Sequence, residues 1–223
     1  MVDFEKARRM MVDGQVRTVD VTDRSLLSVL SEIPRERFVP GPVRNLAYLD
    51  RDIEIAPASA GHPARYLLEA GPFARLVQAA ELTASDVVLD VGSGTGYSAA
   101  VLSRLAGFVV ALEADPDLSR GASAAFAEMG IENVASVNGA LPAGSPTKGP
   151  YDAILIEGAV EFVPDALLDQ LKPDGRLLAV VGINRTARAT IYRRSGEGIS
   201  TRPLFDAYVA ALPGFQKPKA FVF

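Results

Sequence analysis

The sequence predicts an α/β protein: a doubly wound, mainly parallel seven-stranded sheet with an N-terminal helical extension. Three observations carry that prediction. From Asp86 onward, short apolar runs alternate with amphipathic stretches, the rhythm of strand and crossover helix. The first run leads directly into a turn with glycine at alternate positions, Gly92, Gly94 and Gly96. Upstream of about residue 84 the alternation is missing, and helical periodicity is broken by proline-rich connections.

Taken in order, Phe4, Ala7, Met10, Met11 and Val16 recur at helical spacing and predict a first helix. A second is expected to start at Thr22 as N-cap, to carry Leu26, Leu27, Val29 and Leu30, and to end before Pro34. PRERFVPGPV (34–43) is proline punctuation, and 70–82 reads as a helix leading into the first strand. Residues 1–83 are therefore expected to hold only helices and irregular connections. They would form a cap and substrate-side segment integrated with an α/β domain over 84–223.

In that domain VVLDVG (87–92) has the unbroken apolar character of a strand buried on both faces. YSAAVLSRLAG (97–107) reads as a helix closed by Gly107, and FVVALEAD (108–115) as the next strand. PDLSRGASAAFAEMG (116–130) is a helix with Pro116 in its first turn and Gly130 at its end. NVASVNG (133–139) and YDAILIEG (151–158) are strands, PDALLDQLKPDG (164–175) a helix, and RLLAVVG (176–182) a strand. ARATIYRR (187–194) and LFDAYVAALPGF (204–215) supply two last strands at hairpin spacing.

Composition removes several chemistries. The chain has no cysteine, which excludes disulfides, thiolate metal sites and cysteine nucleophiles. His62 is the only histidine, so a multi-histidine metal site is excluded, and a Ser-His-Asp triad would have to run through it. A net charge of −4 argues against a nucleic-acid backbone as main partner, although Lys6, Arg8, Arg9 and Arg17, and again Arg185, Arg188, Arg193 and Arg194, cluster locally. No apolar run is long enough to span a membrane, and the charged start MVDFEKARR lacks a secretory core. A cytoplasmic enzyme is the expectation.

The glycine turn closes the first strand of the α/β domain, where open α/β sheets bind ligands. Its spacing does not match the dinucleotide pattern G-x-G-x-x-G, because Tyr97 stands where the third small residue should be. What stands there is acid-x-G-x-G-x-G, with Asp90 as the acid and Ser93 and Thr95 between the glycines. That arrangement suits a ligand without pyrophosphate. A carboxylate at Asp90 can offset the positive charge of S-adenosylmethionine, and bare glycine backbone lets the ligand lie on the turn. Glu113 ends the second strand, where an acid accepts both hydroxyls of a ribose.

Several stretches together resemble the protein-L-isoaspartate O-methyltransferase family. MVDGQVRTVDVTDRSLLSVLSEIPRERFVP (11–40) is similar to its opening segment, ending in a P-R-x-x-F-V-P phrase. AYLDRDIEI (47–55), VLDVGSGTGYSAAVLSRLAG (88–107) and YDAILIEGAVEFVPDALLDQLKPDGRLLAVVG (151–182) continue the likeness. The resemblance implies a Rossmann-like fold, S-adenosyl-L-methionine as methyl donor, and the carboxyl of an isoaspartyl residue in damaged protein as acceptor. It implies protein repair by methyl transfer; charge and hydropathy leave nucleic acid and membrane out as expected partners, and the oligomeric state is left open. Carried over by position, Asp90, Gly92, Ser93, Gly94, Gly96, Glu113, Ala114, Gly139, Ala140 and Glu157 are the expected cofactor residues.

Two departures leave the acceptor open. The family's T-x-S-Q-P-like segment is replaced by GHPARYLLEAGPFARL (61–76), with His62, Arg65, Tyr66 and Glu69 as its polar groups. Arg65 and Tyr66 are the candidate substrate contacts: Arg65 reads either as a bidentate carboxylate clamp or as a helix-surface arginine. The family's G-D-G phrase is Asn138-Gly139-Ala140 here, which leaves adenine to backbone groups. Glu157 reads either as a partner for a cationic group or as a charged strand end. A methyltransferase with another acceptor, and a module that binds the cofactor without transferring methyl, remain alternatives.

Overall fold

The computed structural model describes residues 2–59, 63–183, 186–196 and 198–217. Helix α1 (Phe4–Met11) is capped by Asp3, whose carboxylate accepts from the Lys6 N–H. It runs on through a π turn at Val12–Val16 and a 3-10 turn at Arg17–Val19. Helix α2 (Arg24–Glu32) starts one residue later than expected. Asp23, not Thr22, is its N-cap, and its carboxylate accepts from the Leu26 N–H at 3.0 Å. It stops before Pro34 as predicted, and 35–46 winds into two 3-10 turns.

The expectation that 1–83 contains no strand is corrected. β1 (Ile53–Ala56) and β2 (Arg65–Leu67) pair antiparallel as a two-stranded ribbon separate from the main sheet. Each strand is too short for alternation to stand out from irregular chain. Arg65 accordingly lies on a strand and not on a helix surface. α3 (Ala70–Ala80) follows and buries one face, including Phe73, Leu76 and Val77.

The main sheet has seven strands in the order β5 (Val134–Asn138), β4 (Phe108–Glu113), β3 (Val87–Val91), β6 (Tyr151–Val160), β7 (Leu171–Val181), β8 (Arg188–Ser195), β9 (Gly198–Asp206). Pairing is parallel from β5 to β7 and antiparallel through β8 and β9. α4 (Tyr97–Leu102), α5 (Pro116–Glu128) and α6 (Asp165–Leu168) complete the crossovers. Alternate strand residues feed two cores, the period-2 signature of a sheet covered on both faces. Val88, Ala111 and Leu155 join the cluster that holds Met11, Leu26, Phe73 and Phe126. Leu89, Leu112 and Ile156 join the cluster that holds Leu141, Leu167, Leu212 and Phe215.

Three boundaries depart from expectation. The helix read over 97–107 ends at Leu102, and Arg104 and Leu105 donate to carbonyls three residues back. The helix read over 164–175 shrinks to Asp165–Leu168, because Pro173 cannot donate a helical bond and Asp174 is left-handed at φ 63°. Residues 172–175 bulge from the β6–β7 ladder instead, since Tyr151 pairs with Leu171 and Ala153 with Arg176. The final strand is 198–206 and not 204–215, because the antiparallel pairing with β8 begins at Ser195–Gly198 and ends at Arg188–Asp206. Residues 207–215 instead run over the sheet's end, where Leu212 N donates to Ala159 O at 2.8 Å.

Candidate functional site

Strands β4, β3 and β6 are neighbours, and each carries a carboxylate near its C-terminal end: Glu113, Asp90 and Glu157. Asp90 lies across the ladder from Ala111 and Leu155. Asp90 and Glu113 therefore extend the sheet face that packs on the N-terminal layer. All three acids are buried, Asp90 and Glu113 completely.

The turn between β3 and α4 supports this placement. Gly92, Gly94 and Gly96 have φ of 85°, 55° and 96°, conformations that suit glycine. Gly92 N and Ser93 N both donate to Leu112 O, and Gly96 N donates to Ser93 O at 2.8 Å. Tyr97 opens α4 as a buried ring, with Phe38 edge-on at 5.8 Å and the Arg35 guanidinium 4.8 Å from its centroid. Arg35 is itself buried and donates to Ala47 O and Leu68 O. Thr95 Oγ1 donates to Phe38 O at 2.6 Å. The P-R-x-x-F-V-P phrase is thus the piece that clamps the glycine turn from the N-terminal side.

The carboxylates are not equivalent. Asp90 Oδ2 accepts from Ser98 Oγ at 2.6 Å, while Oδ1 is buried without a partner among the described residues. Glu157 Oε1 is likewise buried and unpartnered among those residues. Burial pushes the Asp90 carboxyl up to about 7, opposed by the Ser98 bond and helped by the charge of Glu113. Burial and then the charge of Asp90 hold Glu157 well above the usual carboxylate range, with Arg35 opposing. Two buried oxygens that lack donors are the electrostatic complement of a cation or an ammonium group.

Glu113 has no such vacancy. Its Oε2 accepts from Gly94 N at 2.8 Å, and its Oε1 accepts from Ala114 N at 2.8 Å and Asp115 N at 3.0 Å. Arg65 Nη1 also donates to Oε1, a buried ion pair, and Arg65 Nη2 donates to Gly92 O at 3.1 Å. On the side where each glycine would carry a side chain, the space is filled from within the chain. A Cβ on Gly92 would stand 2.8 Å from Leu212 Cδ1, one on Gly94 2.6 Å from Ile55 Cδ1, and one on Gly96 2.7 Å from Phe126 Cζ.

The structure gathers most of the expected residues at one place. Asp90, Gly92, Ser93, Gly94, Gly96, Glu113 and Glu157 are buried around the turn. Gly139 N donates to Glu113 O at 3.0 Å, and Gly139, Ala114 and Ala140 lie at a more open rim. Tyr66 is half-buried and turned away, its hydroxyl 3.4 Å from Glu54 Oε2. His62 lies outside the described residues. Sequence reading missed Ser98, Arg35, Ile55 and Leu212. Ser98 had a signal in its place one turn into the helix after Gly96. The two apolar side chains had none, since they meet the turn only through tertiary structure.

Comparison with known proteins agrees with this architecture. The family model for protein-L-isoaspartate(D-aspartate) O-methyltransferase matches residues 6–211. A protein-L-isoaspartate O-methyltransferase of Gloeobacter violaceus is 35% identical over 196 residues, covering 87% of this chain and 93% of its own. One from Roseiflexus castenholzii is 33% identical over 213 residues, covering 96% and 94%. A solved protein-L-isoaspartate O-methyltransferase superposes with a TM-score of 0.79 at 25% identity, over 94% of this chain and 66% of that one. A Plasmodium falciparum structure in complex with S-adenosyl-L-homocysteine shares the fold, with a TM-score of 0.75 at 18% identity over 92% and 97%. With a model matched across nearly its whole length and relatives aligned almost end to end, the chain belongs to the protein-L-isoaspartate O-methyltransferase family.

Proposed function

We propose that this chain transfers the methyl group of S-adenosyl-L-methionine to the carboxyl of isoaspartyl residues in damaged protein. The observation that carries this reading is the pair of unpartnered buried oxygens, Asp90 Oδ1 and Glu157 Oε1, beside a glycine turn and a strand-end acid. They fit a donor that brings positive charge, and Glu113 is the acid placed for ribose hydroxyls. Family membership supplies the activity, and these residues supply a chemically matched cradle.

When bound, the cofactor supplies an electrophilic methyl group. An acceptor carboxylate oxygen would take that methyl group, with the sulfur as the leaving group. The carboxylate is already a nucleophile, so the protein has no strong base to provide. Its work is alignment and the exclusion of water. Asp90 and Glu157 would hold the charged end, the glycine backbone the body, Glu113 the ribose, and Gly139, Ala140 and Ala114 the rim near the base.

A cleft of about 320 Å3 beside this end of the sheet is lined by Asp52, Tyr66, Ala159, Ile183 and Tyr208, among others. Tyr208 and Ile183 are exposed, which suits contact with a peptide. In this reading Tyr66 contributes to that acceptor side.

The test is methyl-ester formation from labelled S-adenosyl-L-methionine on an isoaspartyl peptide, with its normal aspartyl twin as control. Selective labelling of the isoaspartyl peptide is expected. Equal labelling of both, or of neither, would overturn the reading.

A further inference from the structure

Side chains of the chain itself press on the cradle whose chemistry fits the cofactor, and the pieces that carry them are joined. Arg65 of β2 caps Glu113 and takes the Gly92 carbonyl. Ile55 of β1 packs where a side chain on Gly94 would stand, and Leu212 packs against Gly92. The ribbon pairs Ile53 with Leu67 and Ala56 with Arg65, so Ile55 and Arg65 belong to one body.

The Leu212 segment is tied to that body by Asp52, the residue just before β1. Asp52 Oδ2 accepts from Ala210 N at 2.5 Å and Oδ1 from Glu69 N at 2.7 Å. Among the described residues the ribbon has no ladder to the main sheet, and besides Arg65 it is held by Ile53, Ile55 and Leu67 packing in the core; a two-stranded ribbon by itself is only marginally stable. Its departure from the turn would release the Asp52 bonds and the Ala159 bonds of the Leu212 segment but leave the ladders of the seven-stranded sheet in place.

We infer that the β1–β2 ribbon is a built-in plug of the cofactor site, in which the Arg65 guanidinium competes with ribose hydroxyls for Glu113. The inference rests on the reading that this site binds S-adenosyl-L-methionine. Binding then requires the plug to open, and the apparent affinity is lowered by the fraction of molecules that are closed. Arg65 is thereby assigned a role in setting cofactor affinity, in place of the acceptor-clamping role its sequence suggested. Glu113 does not need Arg65 to stay in position, because the N–H groups of Gly94, Ala114 and Asp115 hold it.

The test is calorimetric titration of the full chain with S-adenosyl-L-homocysteine, comparing wild type with Arg65→Met and with Leu212→Ala. A population closed nine-tenths of the time predicts about tenfold tighter binding by Arg65→Met. Leu212→Ala, which leaves the Glu113 pair intact, is expected to tighten binding several-fold. It decides the matter if Arg65→Met fails to fold. A gain in affinity is the diagnostic readout, because loss of a merely structural arginine weakens binding. Measurable wild-type binding that either folded variant leaves unchanged or weakens would overturn the plug while sparing the cofactor reading. Binding by none of the folded proteins would overturn both.

Discussion

Residues 87–113 and the β1–β2 ribbon meet at the same few atoms, yet they are held in different ways. β3 is laddered on both sides, to β4 and to β6, and its side chains are buried almost without exception. The glycine turn that follows is fixed by backbone bonds to Leu112 and by a clamp from Arg35 and Phe38. Among the described residues the β1–β2 ribbon pairs with itself and not with the main sheet, and it reaches the turn chiefly through Ile55 and Arg65. One region is a platform laddered on both sides, and the other a cover held by side-chain packing and a few hydrogen bonds. A site can therefore be well formed and still be closed, since the platform and its accessibility are set by different parts of the chain.

The largest expected effect separates the two partners of the buried pair. Glu113→Ala strands Arg65 and releases the N–H groups of Gly94, Ala114 and Asp115, and should cost roughly 3–5 kcal/mol in urea unfolding. Arg65→Met should cost clearly less, because Glu113 keeps its backbone donors. Equal losses would mean that the platform depends on its cover.

Gly94→Ala comes next. The new Cβ would stand 2.6 Å from Ile55 Cδ1 in a residue at φ 55°, with an expected cost of about 2 kcal/mol. Adding Ile55→Ala should return part of that loss in a double-mutant cycle. Strictly additive losses would show that the ribbon does not press on the turn.

Asp90 sharpens the comparison through pH. Its folded pKa, about 7, lies above the ordinary carboxylate value, so the folded protein binds this proton more tightly than the unfolded chain does. The associated stability is present below about pH 4 and is lost as pH rises toward 7. Asp90→Asn should remove that slope and stabilise the ligand-free protein at pH 8 by about 1–2 kcal/mol. Thermal melts from pH 4 to 8 read the difference. An unchanged slope would place the titration elsewhere.

The smallest effect belongs to Tyr66→Phe, which removes a hydroxyl with one long bond to Glu54. Stability should change by less than about 0.5 kcal/mol. A larger loss would give the outer face of the ribbon a structural role that its geometry does not show.

The same division explains what the sequence made legible. β3, β4 and β6 are continuous apolar runs, and their terminal acids Asp90, Glu113 and Glu157 could be placed from the runs alone. Gly92, Gly94 and Gly96 were legible as a turn because each needs a positive φ, a local property. What sits against those glycines was not. Ile55 and Leu212 lie 39 and 120 residues from the glycines they pack on, and nothing in their neighbourhood marks them. Arg65 read either as a clamp for an acceptor carboxylate or as a helix-surface side chain, since only the ribbon's pairing turns it inward to Glu113. The strand at 198–206 was missed because Pro203 and a run of exposed side chains obscure its alternation, and the stretch 204–215 imitates a strand more convincingly.

The central claim is that the glycine turn is the cofactor platform and the ribbon its displaceable cover. A crystal structure of the wild-type protein with S-adenosyl-L-homocysteine tests it most directly. The account predicts the ligand's ribose hydroxyls on Glu113, with Arg65 released and Ile55 and Leu212 withdrawn from Gly94 and Gly92. Ligand bound elsewhere, or bound while Arg65 still caps Glu113, would contradict it.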